Sequence, residues 1–270
     1  MQKGRISKFI ESIFFLKKRS QIYNHRIDEG LLREVNLWDY EDPNGWMENQ
    51  DYVLTKNNAE LDSYEKLERQ VIAAEYAICR EIALVGGVII DIGCGVGRHI
   101  IQIASSKPCN AKKIIGVDFS PNLLKKTHIK SKNYSNIVEL HLASADKLYF
   151  IPDHSVDYGI IMYRTFGNLP GEVKEKHLRE IKRILKKDGY YILSLGNKKF
   201  METVMRKYHQ LGGPTKYYNK KKGDIIYGSG VRQHYFDKKE LKKYFAQRHF
   251  EIVRLYEAGT NFIVWTQVKR

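Results

Sequence analysis

An acid and three glycines at alternate positions, Asp91-Ile-Gly93-Cys94-Gly95-Val96-Gly97, close an apolar run that begins at Val88. Ile89, Ile90 and Ile92 are β-branched with no polar alternation, the pattern of a parallel strand buried on both faces. Glycines directly after such a strand let the backbone turn and come close to a ligand before a helix begins near Gly97. The start of that helix offers free N–H groups and a positive dipole end to a polar or anionic group. Cys94 stands where the turn needs a small residue and reads as packing, not as a nucleophile. About one βα unit later a second acid, Asp118, ends the run Ile114-Ile-Gly-Val117 and precedes Phe119-Ser120-Pro121. A carboxylate in that place can accept from two neighbouring hydroxyls at once.

The spacing is not the G-x-G-x-x-G of a dinucleotide fingerprint. Asp91-x-Gly93-x-Gly95-x-Gly97 with Asp118 after it resembles the class I S-adenosylmethionine (SAM) dependent methyltransferases. The resemblance covers residues 85–268 and implies an α/β fold with a seven-stranded, mostly parallel, doubly wound sheet. It implies that Asp91, Gly93, Cys94, Gly95 and Gly97 hold the methionine part of SAM, and that Asp118, flanked by Phe119 and Ser120, binds the ribose hydroxyls. Asp146, in Ala143-Ser144-Ala145-Asp146 after the third strand, matches the acid that binds the adenine amino group, with Ala145 against the ring. The implied cofactor is SAM and the product S-adenosylhomocysteine.

Ligands in open α/β sheets bind beyond the carboxyl ends of strands where the strand order reverses. Chemistry is therefore expected after the fourth strand, in Tyr163-Arg164-Thr165-Phe166-Gly167-Asn168-Leu169-Pro170. Tyr163, Thr165 and Asn168 are the expected contacts to the acceptor or the SAM tail. Methyl transfer is an in-line displacement at a carbon activated by the sulfonium, so the protein mainly orients the acceptor and excludes water. An amine has only a proton to lose, whereas an alcohol or phenol wants a base; His234 is the candidate. His141 and His154 read as satisfied or exposed, His177 as partly solvated at the edge of a helix stripe, and Asp157 as structural. No Cys or His spacing suits a structural zinc site, and no metal is expected. Asn168-Leu169-Pro170 departs from the Asn/Asp-Pro-Pro-aromatic motif of DNA amino-methyltransferases, which counts against a base-flipping DNA enzyme.

The elements that must position these residues follow from periodicity. Residues 1–84 are expected to be an N-terminal helical extension or lid, and 85–270 the SAM-binding domain. Residues 1–35 read as a helix whose apolar face packs on the domain or on a membrane surface. Residues 37–47, with Trp38 and Trp46, read as an aromatic loop that either closes over a ligand or anchors the extension. A helix in two pieces over 57–83 buries Leu67, Val71, Ala74 and Ile78. Strands are predicted at 113–118, 137–142 and 190–195, with an antiparallel pair at 250–256 and 261–268. Helices are predicted after Ser120-Pro121 and over 172–187, 201–211 and 237–248. A basic, tyrosine-rich insertion fills 212–236, with a hairpin from Asp224 to Tyr235 expected over the active-site mouth.

Composition sets the remaining bounds. The 270 residues suit one α/β domain with a cap, and no apolar run approaches a membrane span. Three cysteines favour a reducing, cytoplasmic setting. The net charge of +15 pulls toward a polyanion, and residues 215–254 hold eleven Lys or Arg against four acids. The leading expectation is N- or O-methylation of a small-molecule or amino-acid-like acceptor. An RNA or tRNA methyltransferase is the alternative, since Tyr217-Tyr218 among lysines could stack on bases. A non-catalytic SAM-fold module is disfavoured by the joint presence of Asp91, Gly93, Gly95, Asp118 and Asp146.

Overall fold

The computed structural model of the chain describes residues 22–24, 51–210, 215–228 and 230–269. Its strands are β1 (Ile22–Asn24), β2 (Gly87–Ile92), β3 (Ala111–Asp118), β4 (Val138–Leu142), β5 (Val156–Ile161), β6 (Leu185–Gly196), β7 (Thr215–Asn219), β8 (Asp224–Tyr227), β9 (Arg232–His234), β10 (Phe250–Ala258) and β11 (Asn261–Val268). Its helices are α1 (Tyr52–Thr55), α2 (Ser63–Val85), α3 (Arg98–Ala104), α4 (Pro121–Lys130), α5 (Thr165–Asn168), α6 (Gly171–Ile184), α7 (Met201–Gln210) and α8 (Lys238–Ala246).

The main sheet runs β1-β4-β3-β2-β5-β6-β11-β10. β4 through β6 pair in parallel, while β11 and β10 close the sheet antiparallel. This is the expected seven-stranded plan with one addition, β1, which lies parallel to β4 with Ile22 opposite Leu140. Residues 22–24 are thus strand where periodicity predicted helix; the edge of β4 offers unpaired backbone groups that a passing segment can satisfy. Residues 1–21 and 25–50, with the helix expected there and Trp38 and Trp46, lie outside the described residues.

β2 lies inside the sheet between β3 and β5, and its residues alternate between two cores. Ile89 packs with Ile78, Ile82, Ile100, Ile103 and Leu124 on one face. Ile90 and Ile92 pack with Leu178, Ile181, Leu241 and Phe245 on the other. Burial on both faces is why this strand shows no polar alternation, and each fully buried isoleucine contributes about 1.5–3 kcal/mol.

Three further sequence expectations change. α6 ends at Ile184, not at 187, because Leu185 turns to extended backbone and is itself buried opposite Val156. His177 is fully buried within the α6 stripe rather than partly solvated. The buried face of α2 is rotated from the expected stripe: Leu67 and Ala74 are half-buried, whereas Glu68 and Glu75 lie inside with Val71, Ile72 and Ile78. The insertion holds the expected hairpin, β8 against β9, and β7 extends it to a three-stranded antiparallel sheet. That small sheet sits on Met201 and Val204 of α7 through Ile225, Tyr227, Val231 and Tyr235. The Gly212-Gly213-Pro214 turn lies outside the described residues. Among the described residues no helix is long and apolar enough to cross a membrane.

Candidate active site

The glycine turn joins β2 to α3 and is fixed from three sides. The amides of Gly93 and Cys94 both donate to the Val117 carbonyl, at 2.8 and 3.1 Å. The Thr127 hydroxyl of α4 donates to the Gly95 carbonyl at 2.7 Å. Gly97 caps α3 in the left-handed region, φ 79°, and a Cβ there would meet Thr127 Cγ2 at 2.6 Å. Gly93, φ 69°, is likewise closed to a side chain by Thr165 Cγ2 at 2.5 Å. Gly95 differs, because at φ 54° a Cβ would find nothing within 4 Å, so this part of the backbone faces open space. Cys94 is buried beside Gly116, and burial pushes its thiol well up, which fits packing.

The two acids of the pattern end neighbouring strands. Asp118 accepts from the Gly95 amide at 2.8 Å and from the Ser120 amide at 2.9 Å, tying the turn to the start of α4. Ser120 caps that helix as expected, with Pro121 in its first turn. Asp91 is buried, and its Oδ2 has no hydrogen-bond partner. Burial raises its pKa to about 6, the nearby Asp118 and Glu75 add to this, and His99 and Arg98 oppose it. His99 Nδ1 stands 3.9 Å from that oxygen.

Asp146 accepts from the Ser144 hydroxyl at 2.5 Å. The backbone beside it is held by His177, whose Nδ1 meets the Ala145 carbonyl at 2.8 Å and whose Nε2 meets the Tyr191 hydroxyl at 2.7 Å. A carbonyl can only accept, so Nδ1 carries the proton and Nε2 accepts from Tyr191. Burial depresses the imidazole to about 4, keeping it neutral in this role.

The end of β5 is organised by side chains from distant segments. Tyr163 and Arg164 both take left-handed backbone, φ 49° and 68°, a conformation that costs energy in non-glycine residues and persists only where surroundings impose it. The Tyr163 amide donates to Glu75 Oε1 at 3.0 Å, and its hydroxyl donates to Glu68. The guanidinium groups of Arg98 and Arg164 each lie 4.9 Å from the Tyr163 ring centroid. Arg164 donates to Glu68 at 2.5 Å, Asn261 at 2.8 Å and Thr260 at 2.9 Å. Glu75 accepts from Arg98 at 2.9 Å and bonds His99 Nε2 at 3.0 Å. Burial alone would raise the Glu75 carboxyl, but the His99 bond and the Arg98 charge hold it at about 2.

The structure therefore brings Asp91, the glycine turn, Asp118 and Tyr163 to the carboxyl edge of β2, β3 and β5. Thr165 packs its methyl on Gly93, and Asn168 Oδ1 is buried without a partner. His234 is differently placed: its ring nitrogens meet Asp224 of β8 at 2.7 Å and Glu240 of α8 at 2.9 Å. Acting as a base would require breaking one of those contacts, and here the ring fastens the insertion to α8. His141 bonds Glu139 and stacks on Phe150, His154 bonds the Leu185 carbonyl, and Asp157 accepts from the Val88 amide and Lys186. The only trace that Glu68 and Glu75 leave in the sequence is two acids seven residues apart on an otherwise apolar helix face, and Arg98 and His99 follow the glycine turn with no spacing that marks them.

A family profile described as "Methyltransferase domain" matches residues 89–189, the span from β2 into β6. The chain carries the fold of the class I SAM-dependent methyltransferases, with a methyltransferase domain over residues 89–189. This methyltransferase is 24% identical over 225 residues to the demethylmenaquinone methyltransferase of Staphylococcus haemolyticus, covering 75% of this chain and 91% of that one. Its fold is shared with the 1,6-didemethyltoxoflavin-N1-methyltransferase of Burkholderia thailandensis, solved with 1,6-didemethyltoxoflavin and S-adenosylhomocysteine (TM-score 0.59, 15% identity, 91% and 92% covered). It is shared also with the magnesium protoporphyrin IX methyltransferase of Synechocystis, solved with S-adenosylhomocysteine (TM-score 0.58, 15% identity, 88% and 100% covered). Both of those enzymes hold S-adenosylhomocysteine, the demethylated form of SAM. The residues suit that group: a buried, unpartnered carboxylate oxygen on Asp91 can accept from an ammonium, and Gly95 leaves backbone open beside it.

Proposed function

We propose that this methyltransferase methylates a nitrogen or oxygen of a small-molecule acceptor held beyond the end of β5. Bound SAM supplies a methyl group made electrophilic by the sulfonium. Asp91 receives the ammonium of the methionine part, with Gly93, Cys94, Gly95 and Gly97 giving backbone approach. Asp118, with Phe119 and Ser120 at its side, receives the ribose hydroxyls, and Asp146 with Ala145 the adenine. Tyr163, Thr165 and Asn168 bound the acceptor end.

The observation that carries this reading is that two buried oxygens, Asp91 Oδ2 and Asn168 Oδ1, have no hydrogen-bond partner, so that each is able to take a proton-bearing group. An acceptor N–H or O–H bonded to Asn168 would be oriented without being deprotonated beforehand. The Tyr163 hydroxyl cannot serve as the base, since burial and then the Glu68 charge hold its pKa well above the ordinary phenol value. Such a site works by orientation and water exclusion, and it favours an acceptor nucleophilic while neutral. The small-molecule class is supported by the substrates named for the relatives, demethylmenaquinone, didemethyltoxoflavin and magnesium protoporphyrin.

A second reading, methylation of RNA, has one observation in its favour: Tyr217 is exposed on β7 beside exposed Lys216, Lys220, Lys221 and Lys222. Incubation with methyl-labelled SAM and either a small-metabolite extract or bulk RNA separates the two. Label in the low-mass fraction is expected; label confined to RNA would replace the first reading by the second.

A further inference from the structure

Helix α2 precedes the segment matched by the family profile, yet it sends a fully buried carboxylate, Glu75, into the middle of the site. Three contacts converge on it. Oε2 bonds Arg98 at 2.9 Å and His99 Nε2 at 3.0 Å, and Oε1 accepts the Tyr163 amide at 3.0 Å. Arg98 and His99 open α3 directly after the glycine turn, and Tyr163 leaves β5, so one carboxylate joins two strand ends that nothing in the sequence brings together. Beyond His99 the chain of groups continues to Asp91: imidazole Nδ1 is 3.9 Å from the unpartnered Oδ2. A histidine held on one nitrogen by a carboxylate has its ring plane fixed, and the other nitrogen is then aimed.

We propose that Glu75 is a positioning residue for cofactor binding: through His99 and Arg98 it holds the Asp91 carboxylate ready for the methionine ammonium, and through the Tyr163 amide it sets the acceptor-side turn against the same point. The proposal rests on the reading that Asp91 meets that ammonium. Glu75 does not itself touch the cofactor in this arrangement; its effect is carried by His99 and Arg98.

Two ligands distinguish positioning from general support. S-Adenosylhomocysteine carries the ammonium and carboxylate, whereas 5′-methylthioadenosine carries the same nucleoside without them. Calorimetry on the full chain should show Glu75→Gln weakening S-adenosylhomocysteine by about tenfold, one lost charge-assisted bond's worth, with 5′-methylthioadenosine changed by less than about twofold. In an Asp91→Asn background the Glu75→Gln loss should largely disappear, because the group it positions has gone. Equal losses on both ligands, or full additivity with Asp91→Asn, would overturn the proposal in favour of a purely structural role. If circular dichroism shows Glu75→Gln unfolded, His99→Gln, which cuts the same chain one link later, takes its place with the same expected selectivity and the same overturning results. The underlying reading fails separately: Asp91→Asn alone would then bind S-adenosylhomocysteine as tightly as the unaltered protein.

Discussion

The two halves of the site are built by opposite means. On the β2–β3 side, the glycine turn and Asp118 are set by backbone amides that donate across a single βα unit, Gly93 and Cys94 to the Val117 carbonyl and Gly95 to the Asp118 carboxylate. At the end of β5, Tyr163 and Arg164 stand in strained backbone and are held by Glu68 and Glu75 of α2 and by Thr260 and Asn261 beside β11. The first half is a local motif that many sequences can carry unchanged. The second is a buried ionic network, in which desolvation of each charge has to be offset by partners that fold must deliver together.

The comparison breaks most visibly at Glu68. Glu68→Ala leaves the buried Arg164 guanidinium without its carboxylate and is expected to cost about 3–5 kcal/mol in urea denaturation, of which Arg164→Met in the same chain should recover a part. Next in size, Asp118→Ala should weaken S-adenosylhomocysteine by roughly 10- to 150-fold in calorimetry, the value of one charged hydrogen-bonding group, while leaving the melting temperature less affected than Glu68→Ala does. If Asp118→Ala instead unfolds the protein as readily as Glu68→Ala, the distinction between the two halves is lost.

Acid titration sharpens it further, because the two halves carry opposite signs. Burial raises Asp91 to about 6, so in the free protein it binds a proton more readily than the unfolded chain between its ordinary value of 3.8 and about 6, and its contribution to stability falls as pH rises through that window. Glu75, held at about 2, contributes stability that is complete above its ordinary 4.5 and is lost as pH falls toward 2. An ammonium ligand needs Asp91 ionised, so S-adenosylhomocysteine affinity should fall below about pH 6, approaching tenfold per pH unit, before the protein itself unfolds in acid. Affinity that stays level from pH 7 to pH 5 would remove Asp91 from the ammonium. The smallest effect is expected at the insertion. Replacing Lys220, Lys221 and Lys222 by Ala should change S-adenosylhomocysteine affinity by less than about twofold, since exposed charges are screened within roughly 10 Å at ordinary salt.

Legibility in the sequence divided along the same line. The glycine turn, both strand-end acids and the Ser120 cap could be read directly, since each depends on a short stretch with a fixed period or cap. The rotated face of α2 could not. Periodicity assigns apolar residues inward, and Glu68 and Glu75 are inward only because Arg164, Arg98 and His99 arrive from 23 to 96 positions away. His177 escaped for the same reason, its two partners being the Ala145 carbonyl and the Tyr191 hydroxyl on other elements. His234 is a candidate base by residue type alone, and only the fold brings Asp224 and Glu240 to its two ring nitrogens.

By itself, then, the order of residues determined the glycine turn, the acids at the strand ends and the doubly buried strands that carry them, because backbone conformation and strand burial are properties of neighbouring residues. Tertiary structure alone decided which charges are buried and with whom. Burial of an ion is tolerable only where its counter-ion is also delivered, and that pairing is made by segments distant in the chain.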